Sequence, residues 1–134
     1  MKRKKIISLI LFTNLLLMLA CGSGGTTGSV SGSSMNCGFD ACEGRFSSLK
    51  GTFSEEFEKE TSEDNIPVSV SVSVEKGAVR FWVEDSNNNQ TVGTASPGTP
   101  ASIQGLAEVS FDEFKVYFEA SEGEAAGVRF MVEY

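Results

Sequence analysis

Residues 68–75 read VSVSVSVE, with valine at 68, 70, 72 and 74 and serine at 69, 71 and 73. In an extended chain successive side chains point to opposite faces, so this segment has one aliphatic face and one hydroxylic face. A helix would scatter the four valines around its circumference and bury none of them as a group. The segment is therefore expected to be a strand with one face in a core. Burying the four valines contributes about 6–12 kcal/mol before the entropy of ordering, an upper bound because unfolded chains already hide some surface.

The same period recurs along the chain. LKGTFSEEF sets Leu49, Phe53 and Phe57 on one face, and AVRFWVE, after the turn EKG, sets Val79, Phe81 and Val83 inward. DSNNNQ and TASPGTPAS read as turn-rich breaks. SIQGLAEVSF comes next, then EFKVYFEA with Phe114, Val116, Phe118 and Ala120 inward. After SEGEAAG, VRFMVEY carries Val128, Phe130, Val132 and Tyr134 on one face. SEEFEKETSED has a helical alternative, with Glu55 and Lys59 four apart and Phe53 and Phe57 likewise. Strand is the expected state there, with a turn near Ser62–Asn65. Short strands separated by Gly- and Pro-rich turns predict an all-β fold, a single small antiparallel β-sandwich over residues 44–134. That length suffices for one modest core.

The first 43 residues have a different character. Lys2, Arg3, Lys4 and Lys5 form a basic head, and Ile6–Ala20 is apolar except for Ser8, Thr13 and Asn14. A spanning helix needs about 20 apolar residues. This shorter run, followed by glycine and serine, has the layout of a secretory signal. Met18-Leu19-Ala20-Cys21 resembles the lipobox of bacterial lipoproteins. The resemblance implies a signal peptide at 1–20, cleavage before Cys21, and a diacylglycerol on the Cys21 thiol. Each buried methylene of such an anchor contributes about 0.8 kcal/mol, and stable attachment takes two or more chains. The implied location is exported and lipid-anchored to a bacterial membrane, the outer one in a diderm because Gly22 follows the cysteine, with the domain facing the periplasm or the outside. Residues 21–43 are expected to be the lipidated cysteine and a disordered linker. Within it GSGGTTGSVSGSS, Gly22–Ser34, reads as a flexible tether. Residues 44–134 also resemble the small jelly-roll-like sandwiches of exported bacterial proteins, a likeness that transfers no functional residue.

Charge and composition narrow the function. Four of the 11 Lys and Arg lie in the basic head and all 18 Asp and Glu lie beyond it, so removing residues 1–20 leaves 7 against 18 and takes the net charge from −7 to −11. Such a surface repels nucleic acid and anionic head groups. The chain has no histidine, which excludes Ser-His-Asp and Cys-His nucleophilic systems and imidazole zinc sites. Neither an enzyme nor a cofactor is expected. With Cys21 lipidated, Cys37 and Cys42 remain in CGFDAC. An exported pair invites a disulfide, whereas a redox or metal role lacks both C-x-x-C spacing and further ligands. Closing so short a loop contributes about 2 kcal/mol and pins a local turn.

Three sites are candidates. The first is an outward sheet face. By the parity above, Arg80 and Trp82 face outward, as do Lys115 and Tyr117 and, farther along, Arg129 and Met131. If these strands are neighbours, Trp82, Tyr117 and Met131 make an aromatic patch ringed by charge, suited to stacking a sugar or meeting a protein. The alternatives are a solvated face of cross-strand pairs, or a Trp82 covered by the opposing sheet. The second is DSNNN, where Asp85, Asn87 and Asn89 have the alternate spacing of calcium ligands. Gln90 and Ser96 stand where such a loop needs Gly and Glu, so a hairpin turn is expected and no metal. The third is carboxylate catalysis, but the adjacent pairs Glu55/Glu56 and Asp112/Glu113 fall on opposite strand faces. The expected function is a lipid-anchored, non-catalytic β-sandwich for protein interaction or an envelope-structural role, the alternative being a carbohydrate-binding module.

Overall fold

The computed structural model describes residues 27–134, in which every regular element is a strand. The expected signal peptide and Cys21 lie outside the described residues. The strands are β1 (Ser29–Ser31), β2 (Ser34–Cys37), β3 (Ala41–Glu58), β4 (Asn65–Ser73), β5 (Val79–Glu84), β6 (Gln90–Ala95), β7 (Ala101–Glu108) and β8 (Glu113–Glu133). All pairings are antiparallel. The expected all-β class is what the chain forms.

Two long strands organise it. β3 and β8 pair along their whole length, with a register shift between Lys50 and Thr52. At that shift Gly51 has φ +64° and, in β8, Gly123 has φ +92°, a region where a Cβ would be strained. The pair bends there and serves two leaves. Residues 41–50 and 124–133 lie in the first, which continues through β4 to β7 and carries β1 and β2 on its edge. Residues 52–58 and 113–120 lie in the second, which continues through β5 to β6.

The leaves enclose one core. Val68, Val70, Val72 and Val74 are buried as their alternation requires, as are Val79, Phe81 and Val83. Phe46 of the first leaf meets Phe53 and Phe118 of the second, at ring centroid distances of 5.6 and 5.5 Å. At the open end Tyr134 packs edge-on to Phe114 at 5.0 Å. No polar or charged side chain is buried among the described residues.

Two boundaries differ from expectation. Residues 29–37, expected to be part of a disordered linker ending at 43, form β1 and β2 against β3. They carry almost no apolar pattern, and what orders them is the backbone ladder plus the Cys37–Cys42 disulfide across the β2–β3 turn. SEGEAAG, which separates two alternating segments of the sequence, lies inside β8, so those two segments are one strand. The helical alternative at 54–64 does not form: residues 54–58 continue β3, because Phe53 and Phe57 are held opposite Phe118 and Phe114, and 59–64 are the irregular connection to β4.

Residues 52–58 form a leaf edge, and there Glu55 shares the core-side face, opposite the buried Val116. An inward-pointing charge on an edge strand discourages edge-to-edge association. Partial burial, then the neighbouring Glu56, raises the Glu55 pKa above the usual glutamate range. A carboxyl whose folded pKa is raised opposes folding once ionised. Below the unfolded value both states are protonated and nothing is lost; the penalty grows as pH rises through the window up to the raised folded value. Glu55→Gln is therefore expected to raise the melting temperature at neutral pH, with the gain vanishing in acid below the usual glutamate range. Melting curves across pH check this, and a gain independent of pH refutes the electrostatic origin.

Candidate functional site

The structure brings four of the six predicted face residues together. Trp82 lies directly opposite Tyr117 across the β5–β8 pairing and opposite Val92 across β5–β6. Arg80 and Lys115 share this outer face of the second leaf, Lys115 pairing with Glu56 at 3.7 Å. Arg129 and Met131 belong to the other half of β8 and sit on the outer face of the first leaf, opposite Arg45 and Glu43. The single six-residue patch does not form, because the bend in β8 turns its two halves onto different leaves.

The Trp82 parity is outward as expected, yet only 7% of the residue is exposed. Tyr117 stacks on the indole at 5.2 Å with an interplanar angle of 8°, and Arg80 lies 4.5 Å from the ring centroid. The indole N–H donates to Glu84 at 3.2 Å, and the same carboxylate oxygen accepts from Gln90. The indole on which a pyranose would stack is already engaged by Tyr117 and Arg80 within the protein. What covers Trp82 is its own outer face, not the opposing leaf. Burial first, then Glu84 and Glu108, raises the Tyr117 pKa. The row is thus a packed, neutral-phenol stack.

In the DSNNN turn, Asp85 Oδ1 accepts from the backbone N–H of Asn87 and of Asn89, both at 2.9 Å, and Oδ2 accepts from Asn89 Nδ2 at 3.0 Å. These bonds hold the Asp85 carboxyl below its usual range, the Asn89 side-chain bond contributing most. Its oxygens are turned onto N–H donors, which is loop capping. Among the described residues no cluster of three His, Cys, Asp or Glu could hold a metal.

The sequence reading missed the open end of the sandwich. Tyr134 N–H donates to the Asp40 carbonyl at 2.9 Å, Lys59 N–H to the Asp112 carbonyl at 2.8 Å, and Lys59 Nζ pairs with Asp40 at 3.4 Å. These bonds gather two hairpin turns at one tip. Each turn presents a phenylalanine to solvent: Phe39 is 93% exposed and Phe111 is 98% exposed. The first turn is clamped by the Cys37–Cys42 disulfide and a 2.7 Å Gly38 to Ala41 hydrogen bond. The second is a two-residue turn closed by mutual Ser110 and Glu113 hydrogen bonds, with Phe111 and Asp112 at φ +54° and +61°. Asn-Gly suits such a turn; a bulky residue there is uncommon and strained. A hollow of about 720 Å³ beside Phe39 is walled by Glu58, Lys59, Glu60 and Asp112. The signal for this tip was available in CGFDAC and SFDE, both of which place an aromatic where turns favour polar residues.

No protein-family model and no curated protein matches the chain. Among solved structures, a cupin domain of an XRE family transcriptional regulator from Enterobacter cloacae is similar at 12% identity, over 76% of this chain and 94% of that one, with a TM-score of 0.39. The family 11 carbohydrate-binding module of a Clostridium thermocellum cellulosomal cellulase is similar at 12% identity, over 81% of each chain, at 0.40. Peruvianin-I, a cysteine peptidase from Thevetia peruviana latex, is similar at 14% identity, over 81% of this chain and 64% of that one, at 0.43. At these values the likeness bears on neither ligand nor activity.

Proposed function

We propose that this chain is a lipid-anchored exported protein whose non-catalytic β-sandwich docks an envelope protein through the tip bearing Phe39 and Phe111. The observation that carries the reading is two turn-borne phenylalanines, both more than nine-tenths exposed, held at one end by a disulfide clamp and a closed hairpin. Aromatic anchors in solvent are depleted on ordinary surfaces and enriched at interface centres. Glu58, Glu60 and Asp112 lie beside both, Glu113 joins them at Phe111, and Lys59 beside Phe39 is already paired with Asp40, so the complementary partner is a basic surface with two apolar pockets.

The position of the tip supports presentation from a membrane. Gly28 and β1 lie against Lys50 and Thr52, at the bend. The ten residues from Ala41 to Lys50 put roughly 30 Å between bend and tip. A lipid on Cys21 would enter at the bend end, and the six peptide steps from Cys21 to Thr27 reach at most about 20 Å. The tip then points away from the anchor.

Two experiments test this. Intact mass of the membrane-extracted protein beside a Cys21→Ala variant should show an acylated chain starting at residue 21 and none for the variant; an unacylated wild-type chain sinks the anchor. Photo-crosslinkable phenylalanine analogues at 39 and 111 should then trap one common protein in intact cells, and Glu122 at the bend should not trap it. Adducts to lipid alone, or no adduct from either tip position, would overturn the docking.

A further inference from the structure

The outer face of the first leaf carries a second feature, distinct from the tip. Four strands line up a row in which Ser34 of β2 faces Arg45 of β3, Arg45 faces Arg129 of β8, and Arg129 faces Ser73 of β4. Two guanidiniums thus stand directly opposite each other on a sheet, an arrangement that like charges disfavour. Arg45 Nε donates to Ser34 Oγ at 3.1 Å, and among the described residues neither arginine lies within ion-pair distance of a carboxylate. Among the described residues both guanidiniums thus lack a carboxylate partner, in a domain that holds 18 acidic residues. Glu43 occupies the neighbouring row, opposite Met131, and stays outside that distance.

The arginine row lies in a shallow groove of about 620 Å³. Its walls combine hydroxyls, including the Ser71–Ser102 pair at 2.9 Å, with the Glu43 carboxylate and the apolar surfaces of Met131 and Pro100. Guanidiniums favour forked hydrogen bonding to a carboxylate or phosphate, serines suit hydroxyl groups, and thioethers suit C–H faces. The net charge of −11 on residues 21–134 repels a densely charged polymer. An isolated anion, however, feels the adjacent arginines far more than charges beyond a Debye length of about 8 Å.

We infer that Arg45 and Arg129 are the anion-recognition centre of a groove that binds a hydroxyl-rich ligand carrying a single oxyanion, the chemistry of an acidic sugar. The oxyanion bridges the two guanidiniums and removes their mutual repulsion, while the serine rows receive the ligand hydroxyls. This site is independent of the proposed tip, and neither stands or falls with the other.

Calorimetric titration of the full chain in detergent micelles tests it, with a galacturonic acid disaccharide, the matching neutral galactose disaccharide, glucose 6-phosphate and inorganic phosphate as probes. An acidic sugar is expected to bind at least tenfold more tightly than the neutral disaccharide. Arg45→Gln and Arg129→Gln, both on exposed side chains, should each weaken it about tenfold or more, the effect of losing a charge-assisted hydrogen bond. Preference for the uronate identifies a carboxylate ligand, and preference for glucose 6-phosphate identifies a phosphate monoester. Equal binding of the neutral disaccharide, unchanged affinity in both variants, or inorganic phosphate binding as tightly as either acidic sugar would overturn the inference.

Discussion

Replacing Phe46 by alanine is expected to destabilise the domain by about 3–5 kcal/mol and to lower its melting temperature by roughly 15 °C or more. Phe46 is 2% exposed and is the side chain on which both leaves meet. Its ring contacts Phe53 at 5.6 Å, Phe118 at 5.5 Å and Phe130 at 5.2 Å, two of them edge-on. Removing it forfeits the transfer free energy of the ring and leaves a cavity walled by three other rings, which the backbone ladders of β3 and β8 keep from collapsing. Such a loss is a large part of the stability of a domain this size. Thermal melts followed by Trp82 fluorescence would measure it. A cost below 1 kcal/mol would mean that the leaves are not joined through this cluster.

Gly44→Ala should cost about 1–3 kcal/mol, although it adds a single methyl to a strand. Gly44 pairs with Phe130, whose ring folds over the space a side chain would occupy; a Cβ built at 44 overlaps Phe130 Cζ. The methyl must therefore displace Phe130, and with it the contacts to Phe46 and to Phe118 at 5.0 Å. A Gly44→Ala, Phe130→Leu double variant should recover part of the loss, because the shorter side chain vacates the overlap. The double-mutant cycle reads that coupling. Additive effects would place the two residues out of contact.

The alternating segments were legible from the chain alone because burial acts on one residue at a time. The valines at 68–74, the Val79–Phe81–Val83 face and the phenylalanines at 114 and 118 need only a period of two to declare which side is apolar, and each is buried as that period requires. The Cys37–Cys42 pair was legible because, with Cys21 set apart, an even pair remained that lacked both redox spacing and further metal ligands. The all-β class follows from the same local rule.

Strand neighbours were decided by tertiary structure. Parity places Trp82, Tyr117, Arg129 and Met131 outward, but it does not say that a bend at Gly51 and Gly123 sends the second two to another leaf. Nor does it say that Arg80 and Tyr117 close over Trp82. Ser29–Ser31 and Ser34–Cys37 carry no apolar period because their order comes from backbone hydrogen bonds to β3, which leave almost no trace in side-chain pattern. The tip phenylalanines and the facing arginines likewise gain meaning only once residues far apart in the chain are side by side. An apolar period records what each residue loses to water, whereas neighbours across strands are chosen by long-range pairing and by the bends that glycine permits.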